Sequence, residues 1–349
     1  KNKNYREIIS KKSNKLSEFE NYILSTMQYF IPKSYLENYK DVIDFSETNY
    51  YGYRPKIIFS PNSWWVDHAF VHWASVCREG GSITVSGHHS AGPIILARDI
   101  YFSEIEVSNT DYYLSSENSN INYGKIFNAP ANILIKYQNN RRVVKDKILY
   151  VFCNQASYVN RVLEDYSGYI EFQINFLNSV SQNIFKKLIG RIHREEFGWN
   201  LEKILERRVK DLKISNKNLF AVDLFECKLC IHSYLGTTFY QSLSYNIPTL
   251  VLIDKDYNII GNIDETMTQH KMNLNLKDDI EALKNAGIIH DSIESINKWF
   301  DNHYMMIEEW WNCENRQKLI NSFCKKYSWV DAKPENKWIN VLEQINAKD

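Results

Sequence analysis

The sequence of 349 residues has no apolar run of the roughly 18–20 residues that a membrane-spanning helix needs. It also lacks a signal-peptide pattern, because the N-terminus is Lys-rich and then polar. We therefore expect a cytoplasmic protein. The chain starts with Lys1 rather than Met, so a fragment of a larger multidomain protein is an open alternative.

The chain has no excess of charge of either sign, since it carries 42 Lys plus Arg and 42 Asp plus Glu. A nucleic-acid-binding protein usually shows a basic surplus that attracts the phosphate backbone. The charge balance gives no general reason to expect a nucleic-acid partner.

Cysteine motifs and the common glycine-rich nucleotide motifs are also missing. The six cysteines are scattered, which predicts buried reduced thiols rather than a disulfide framework. Cys227 and Cys230 form a lone Cys-x-x-Cys without the second pair of a tetrahedral zinc site. Neither Gly-x-Gly-x-x-Gly nor Gly-x-x-x-x-Gly-Lys-Ser/Thr is found.

What is present indicates a two-domain α/β protein with a sizeable core, because 44% of residues are hydrophobic. Short apolar runs predict strands at 56–60, 82–86, 112–114, 133–135, 147–152, 218–222, 229–232 and 249–253. Helical spacing predicts helices at 5–43, 64–78, 158–165 and 176–190 and from 293 onward. The alternation favours parallel sheets, and a basic polar patch at 139–147 resembles a linker. We expect two Rossmann-like domains, 1–146 and 147–349, with a cleft between them.

The clearest motif is the segment 231–243 (IHSYLGTTFYQSL), followed by Asn246-Ile247-Pro248-Thr249. A strand ends at a Ser/Gly/Thr-rich turn and a helix begins. Free N–H groups at a helix N-terminus bind anions, and Ser233, Thr237 and Thr238 add hydroxyl donors. Helix capping alone is the alternative, because Ser and Thr are preferred caps.

This arrangement resembles the nucleotide-binding turn of GT-B glycosyltransferases. More narrowly, it resembles a bacterial transferase family that includes the retaining β-Kdo transferases of O-antigen and capsule synthesis. Segment 80–114 (beginning GGSITVSGHHSAGP) resembles that family's strand and Gln-His-Gly-Gly loop. Further segments that resemble the family, in the same order, are 188–199, 283–291, 310–312 (WWN) and 317–327. The resemblance covers most of residues 30–330.

Two departures bear on the identity of the donor. Where the family loop has Gln-His-Gly-Gly, this chain has His88-His89-Ser90-Ala91, so only His89 matches. GT-B enzymes commonly contact the donor ribose with a Glu, and Gln241 stands at that position here.

Asp67 is the candidate nucleophile, because it follows a predicted strand and a retaining transferase can attack the anomeric carbon with a carboxylate. The alternative is that Asp67 caps the helix at 64–78. His88 and His89 follow the next strand, where an imidazole can bind phosphate or act as an acid or base. Glu104, like Glu106, could serve as base toward an acceptor hydroxyl, and a solvated strand edge is the alternative.

Arg191 resembles the arginine that the family's strand presents to the donor, where a guanidinium binds phosphate or carboxylate in bidentate fashion. A surface ion pair with Glu195 or Glu196 is the alternative. We therefore expect catalytic roles for Asp67, His89 and Glu104. We expect donor binding by seven further residues: His88, Arg191, His232, Ser233, Thr237, Thr238 and Gln241.

A metal site is not expected. His68 and His72 have the i, i+4 spacing of zinc ligands, but Ala69 stands where His-Glu-x-x-His has its acid. A zinc hydrolase built on them is one alternative function. Metal-dependent glycosyltransferases of the GT-A type have an Asp-x-Asp pair. We interpret this chain as having no clear pair of that kind, which favours a metal-independent mechanism.

The resemblance implies a metal-independent, retaining glycosyltransferase without a cofactor. Its expected partners are a CMP-activated sugar acid such as CMP-Kdo and a glycan or lipid-linked glycan acceptor. We expect contact with the inner membrane or with other assembly enzymes to be peripheral. A non-catalytic module that binds glycans or nucleotide sugars is the second hypothesis.

Overall fold

The computed structural model describes residues 6–8, 10–11, 14–50, 52–88, 91–92, 107–118, 125–136, 141–153, 166–254 and 275–347. The chain forms two compact units. The first comprises residues 1–86 and 105–112, and the second comprises 87–104 and 113–349. The predicted boundary at 146 stays a prediction.

The first unit contains helices and a parallel strand pair. Its elements are α1 (Glu18–Phe30), α2 (Tyr39–Tyr50), β1 (Ile57–Ser60), α3 (Ser63–Val66), α4 (His68–Glu79) and β2 (Ile83–Gly87). Strand β1 pairs with β2 in parallel, with Ile57 opposite Ile83. The core packs Ile58 of β1 against Phe70, Ala74 and Cys77 of α4. This spacing of i, i+4 and i+7 places three apolar side chains on one face of the helix.

The second unit contains most of the chain. Its strands are β3 (Tyr112–Ser115), β4 (Ile126–Asn128), β5 (Ile148–Val151), β6 (Leu188–Arg191), β7 (Lys213–Ile214), β8 (Leu229–His232), β9 (Thr249–Leu252) and β10 (Ile289–His290). Its first helices are α5 (Asn132–Ile135), α6 (Tyr166–Ser179), α7 (Gln182–Phe185), α8 (Leu201–Arg208), α9 (Phe220–Glu226) and α10 (Thr237–Ser244). The last five are α11 (Asn275–Asn285), α12 (Ile293–His303), α13 (Ile307–Trp311), α14 (Glu314–Tyr327) and α15 (Pro334–Asn346).

Six strands of the second unit form one parallel sheet in the order β10-β9-β8-β5-β6-β7. Strand β5 lies in the middle and pairs with both β6 and β8. Every residue of β5, β8 and β9 is buried, as expected when helices cover both faces of a parallel sheet. This is the doubly wound order of a Rossmann fold, and it confirms the predicted α/β, GT-B class of architecture.

Three predictions of local structure are wrong, two of them made from short apolar runs. Residues 133–135 belong to helix α5 rather than a strand, and the predicted strand at 218–222 overlaps helix α9. The helix predicted for 176–190 ends at Ser179, and β6 occupies Leu188–Arg191 as the family resemblance implies. Periodicity cannot separate a strand from a helical turn over so few residues. The predicted helix at 158–165 lies outside the described residues.

The cysteine prediction is confirmed in part. Cys77, Cys153, Cys227 and Cys230 are buried free thiols, whereas Cys313 is exposed and Cys324 is partly buried. No described helix combines the length and apolar character needed to cross a membrane.

Candidate functional site

The strand order of the six-stranded sheet reverses between β5 and β8. From β5 the chain proceeds to β6 and β7 at one edge, and then through β8 to β10 at the other. The two strands end side by side, with Val151 opposite His232. Doubly wound folds bind ligands at this reversal, beyond the carboxyl ends of the strands. The chain segment that leaves β8 here is residues 233–238, which we call the open turn.

Ser233, the first residue of the open turn, is buried and engaged inside the fold. Its Oγ donates to the Val151 carbonyl at 2.9 Å and accepts from the Cys153 N–H at 2.9 Å. The Tyr169 hydroxyl of α6 lies 2.6 Å away and donates to Ser233, whose own proton is already used. Ser233 thus joins β5, β8 and α6, and its predicted contact with a donor stays a prediction.

The open turn leads into helix α10, which begins at Thr237 as the sequence predicts. Gly236 is the N-cap residue, and no side chain caps the helix. Within the described part of the chain, the N–H groups of Gly236, Thr237 and Thr238 have no acceptor. These groups and the positive end of the helix dipole can bind an anion.

His232 is fully buried behind this helix start. Its Nε2 lies 2.9 Å from Ser242 Oγ and 3.2 Å from Cys230 Sγ, and its Nδ1 lies 3.3 Å from Thr238 Oγ1. Burial lowers the pKa of His232 to about 3, so the imidazole is neutral at physiological pH. Its predicted role in donor binding stays a prediction, and burial restricts that role to one exerted through Thr238.

Gln241 lies one helical turn after Thr237, on the same face of α10. It is only 5% exposed, yet none of the described residues hydrogen-bonds its side-chain amide. A nearly buried amide without a partner is available for a ligand that approaches the helix start.

Arg191, at the end of β6, forms an ion pair that the sequence analysis did not identify. Its Nη1 lies 3.0 Å from Asp223 Oδ2, and both side chains are about nine-tenths buried. The same nitrogen donates to the Lys217 carbonyl at 2.5 Å. The alternative of a surface ion pair with Glu195 or Glu196 is wrong, because the partner is the buried Asp223. Donor binding by Arg191 stays a prediction.

His88 follows β2 and belongs to a polar cluster of the second unit. Its backbone N–H donates to the Leu114 carbonyl at 2.9 Å, and its Nδ1 lies 2.7 Å from Ser116 Oγ. Ser116 Oγ in turn donates to the Gly92 carbonyl at 3.3 Å. Gly92 packs against the ring of Tyr240 on α10, and a Cβ there would lie 2.5 Å from that ring. The backbone at Gly92 is therefore in contact with the helix of the open turn.

His89 and Glu104, predicted as catalytic, lie outside the described residues, as does Glu106. Their roles stay predictions.

Asp67, in the first unit, is the residue between α3 and α4. Its Oδ1 accepts a hydrogen bond from the Phe70 N–H at 3.0 Å, so it caps α4. The capping alternative is thus observed, and the nucleophile role stays a prediction.

The described residues contain no group of three or more His, Cys, Asp or Glu that could hold a metal ion. His68 instead lies against the ring of Tyr35, with 5.0 Å between the ring centroids. The sequence does contain one Asp-x-Asp spacing, Asp254-Lys255-Asp256, which begins two residues after the end of β9. The interpretation that the chain has no such pair needs this correction. Asp256 lies outside the described residues.

Four residues of this region were missed by sequence reasoning: Gly92, Ser116, Tyr169 and Asp223. Ser115-Ser116 at the end of β3 was a usable signal, of the same kind as the turn after β8. Tyr169 and Asp223 have no local signal, because each lies in a helix and 64 or 32 residues from its partner.

Comparison with known proteins identifies the family. The sequence pattern of the LIC12162 family of transferases matches residues 1–342, nearly the whole chain. None of the curated proteins gives a significant match.

Solved structures share the fold at low sequence identity. A Listeria monocytogenes protein assigned as a UDP-N-acetylglucosamine 2-epimerase is 9% identical, with a TM-score of 0.51 over 89% of this chain and 80% of that one. The spinosyn forosaminyltransferase SpnP is 11% identical, with a TM-score of 0.43 over 88% and 79% of the two chains. MurG of Acinetobacter baumannii is 9% identical, with a TM-score of 0.40 over 83% and 80%.

Proposed function

Since the chain belongs to the LIC12162 family of transferases, we propose that it is a retaining, metal-independent glycosyltransferase. The proposed donor is CMP-Kdo or a related CMP-activated sugar acid, and the proposed acceptor is a growing surface glycan. The observation that supports this best is the open turn at the carboxyl end of β8. Its free N–H groups lie at the point where doubly wound folds bind nucleotides.

The donor phosphate would accept hydrogen bonds from the N–H groups of Gly236, Thr237 and Thr238. Gln241 would add its amide from the next turn of the helix. Arg191 would contribute the remaining N–H groups of its guanidinium, because its contacts with Asp223 and the Lys217 carbonyl both use Nη1. The proposed donor domain spans residues 147–349, and the acceptor domain spans 1–146.

The proposed reaction proceeds in two displacements. In the first, Asp67 attacks the anomeric carbon while CMP departs with the bonding electron pair, and His88 and His89 bind or protonate the departing phosphate. In the second, Glu104 takes the proton of an acceptor hydroxyl, whose oxygen attacks the anomeric carbon and releases Asp67. Two inversions at one carbon retain its configuration.

Peripheral contact with a membrane that carries a lipid-linked acceptor is part of the proposal. Helix α1 buries none of its residues, and Phe19, Tyr29 and Phe30 are each more than 70% exposed. Exposed aromatic side chains on an amphipathic helix suit the interface of a lipid bilayer. Co-sedimentation with lipid vesicles should fall when Phe19 and Phe30 are replaced by Ser. Equal sedimentation of the wild type and the variant would contradict the proposed membrane contact.

Calorimetric titration with CMP and UDP, followed by assay of CMP-Kdo turnover in EDTA, tests the function. We expect CMP to bind more tightly than UDP, and we expect turnover to continue in EDTA. CMP at 100 times its Kd should stabilise the fold by about 2.7 kcal/mol. Binding without turnover would favour the non-catalytic module, and turnover abolished by EDTA would contradict metal independence.

A further inference from the structure

A buried chain of hydrogen bonds connects His232 to the start of helix α10. The imidazole Nε2 faces Ser242 Oγ at 2.9 Å, and Ser242 Oγ also lies 2.9 Å from the Thr238 carbonyl, one turn back in the helix. On its other side, the imidazole Nδ1 faces Thr238 Oγ1 at 3.3 Å. Cys230 Sγ also lies 3.2 Å from Nε2, and both contacts of the ring with oxygen atoms lead to Thr238.

The positions of the protons follow from counting donors. A carbonyl can only accept, so the single proton of Ser242 Oγ goes to the Thr238 carbonyl. Ser242 Oγ must then accept from the ring, which places the ring proton on Nε2. A neutral imidazole has one N–H, so Nδ1 is an acceptor and takes the proton of the Thr238 hydroxyl.

The reverse tautomer satisfies fewer groups. If Nδ1 carried the proton, Nε2 would have to accept one. Either Ser242 donates it and loses its contact with the Thr238 carbonyl, or the weak Cys230 S–H donates it at 3.2 Å and leaves lone pairs of Ser242 Oγ and Nε2 facing each other at 2.9 Å. In the first arrangement Nε2–H donates to Ser242 Oγ, with Cys230 Sγ as a second, weak acceptor, and no lone pairs oppose each other. Because His232, Ser242 and Cys230 are fully buried, the arrangement that leaves fewer groups unsatisfied is strongly favoured.

This arrangement limits what Thr238 can offer a ligand. Its hydroxyl proton points inward to His232, and only oxygen lone pairs remain on the half-buried outer side. A phosphate oxygen, itself an acceptor, gains nothing from a lone pair. A hydroxyl group of the ligand gains a hydrogen bond.

We infer that His232 is a positioning residue that holds the Thr238 hydroxyl as an acceptor, so that Thr238 reads a sugar hydroxyl of the nucleotide rather than its phosphate. The nature of the ligand rests on the proposed function, whereas the orientation of the hydroxyl does not. The nearly buried amide of Gln241 on the same helix, which has no hydrogen-bond partner among the described residues, independently indicates a ligand at this place. Thr237 and the backbone N–H groups are left to hold the phosphate.

The tautomer can be measured without any ligand. In protein labelled with ¹⁵N-histidine, the His232→Gln variant identifies the signals of His232 among the nine histidines. We expect Nε2 to show the shift of a protonated nitrogen and Nδ1 that of an unprotonated one. A proton on Nδ1 would overturn the inference whatever the protein binds.

The specificity is tested by titrating cytidine, CMP and inorganic phosphate into three variants. Thr238→Val should weaken cytidine and CMP by the same factor, about fivefold for one lost hydrogen bond, and leave phosphate unchanged. Thr238→Ser should restore both affinities. Thr237→Val is the matched control and should weaken CMP and phosphate but not cytidine.

The wild type should also prefer cytidine to its 2′-deoxy or 3′-deoxy analogue, and Thr238→Val should erase that preference. If Thr238→Val weakens CMP and phosphate but not cytidine, Thr238 donates to phosphate and the inference is wrong. If neither cytidine nor CMP binds the wild type, the proposed donor fails and the assigned hydroxyl contact fails with it. The tautomer measurement still decides whether His232 orients Thr238.

Discussion

The two units each contain a helix that begins soon after a strand, and the two helix starts differ in one respect. In the first unit, the Asp67 carboxylate caps α4 by accepting from the Phe70 N–H at 3.0 Å. In the second unit, α10 begins after Gly236, and no side chain caps it. One helix start thus holds a negative charge of its own, and the other has none.

The difference indicates what each helix start can bind. A carboxylate at a helix N-terminus already interacts with the positive end of the dipole and would repel a phosphate. An uncapped start with free N–H groups attracts one. The comparison therefore favours the open turn over the start of α4 as the place where an anion would bind.

The largest expected effect comes from Asp67→Asn. Asn caps a helix as well as Asp does, so the stability of the first unit should stay within a few tenths of a kcal/mol. If Asp67 is the nucleophile, turnover of CMP-Kdo should fall by roughly a thousandfold, about 4 kcal/mol, while CMP affinity is unchanged. Asp67→Ala should in addition lose the cap and about 1 kcal/mol of stability. Wild-type turnover by the Asn variant would reduce Asp67 to a cap.

The next effect concerns the ion pair beside the open turn. Arg191→Met leaves Asp223 buried without its cation, which should cost about 3 kcal/mol in a urea titration. Arg191→Lys keeps a positive charge but loses the planar guanidinium with its paired N–H groups. We therefore expect the activation free energy of CMP-Kdo turnover to change by more than the free energy of unfolding. Full turnover by the Lys variant would show that Arg191 serves Asp223 alone.

A smaller effect is expected where Gly92 contacts the helix of the open turn. Gly92 has a φ of +121°, and an added Cβ would lie 2.5 Å from the Tyr240 ring. Gly92→Ala should therefore lower the free energy of unfolding by about 2 kcal/mol and weaken CMP binding. Gly81→Ala is the matched control, because Gly81 also has a positive φ, +94°, but has no heavy atom within 4 Å. Equal losses in the two variants would exclude a contribution from Tyr240.

The smallest effect comes from making the open turn resemble the capped one. Thr237→Glu places a carboxylate in the first turn of α10, where the dipole stabilises it by about 0.3–1 kcal/mol. The same charge should weaken CMP about tenfold, or about 1.4 kcal/mol, by calorimetry. Thr237→Gln has nearly the same shape without the charge and should weaken CMP much less. Similar affinities for the Glu and Gln variants would place the phosphate elsewhere.

Sequence reasoning succeeded where a local pattern determines local structure. Buried, mostly apolar runs correctly predicted β5, β8 and β9, since a strand covered on both faces is mostly apolar. Strand β1 was also predicted correctly, although its residues alternate between partly buried and buried. The turn after β8 was predicted because a Ser/Gly/Thr cluster between an apolar run and a segment with helical spacing usually forms a turn and a helix start. Runs of three to five residues failed at α5 and α9, where strand and helix patterns look alike.

The amino-acid sequence by itself therefore determined the α/β class, the main strands and the helix that begins at Thr237. Only the tertiary structure decided the strand order, and with it the place where β5 and β8 end side by side. It also decided that Ser233 is engaged by Val151, that Arg191 pairs with Asp223, and that His232 faces Thr238. Backbone periodicity and capping depend on neighbours within a few residues, whereas the proton positions of buried polar groups depend on partners that packing brings together from distant strands and helices.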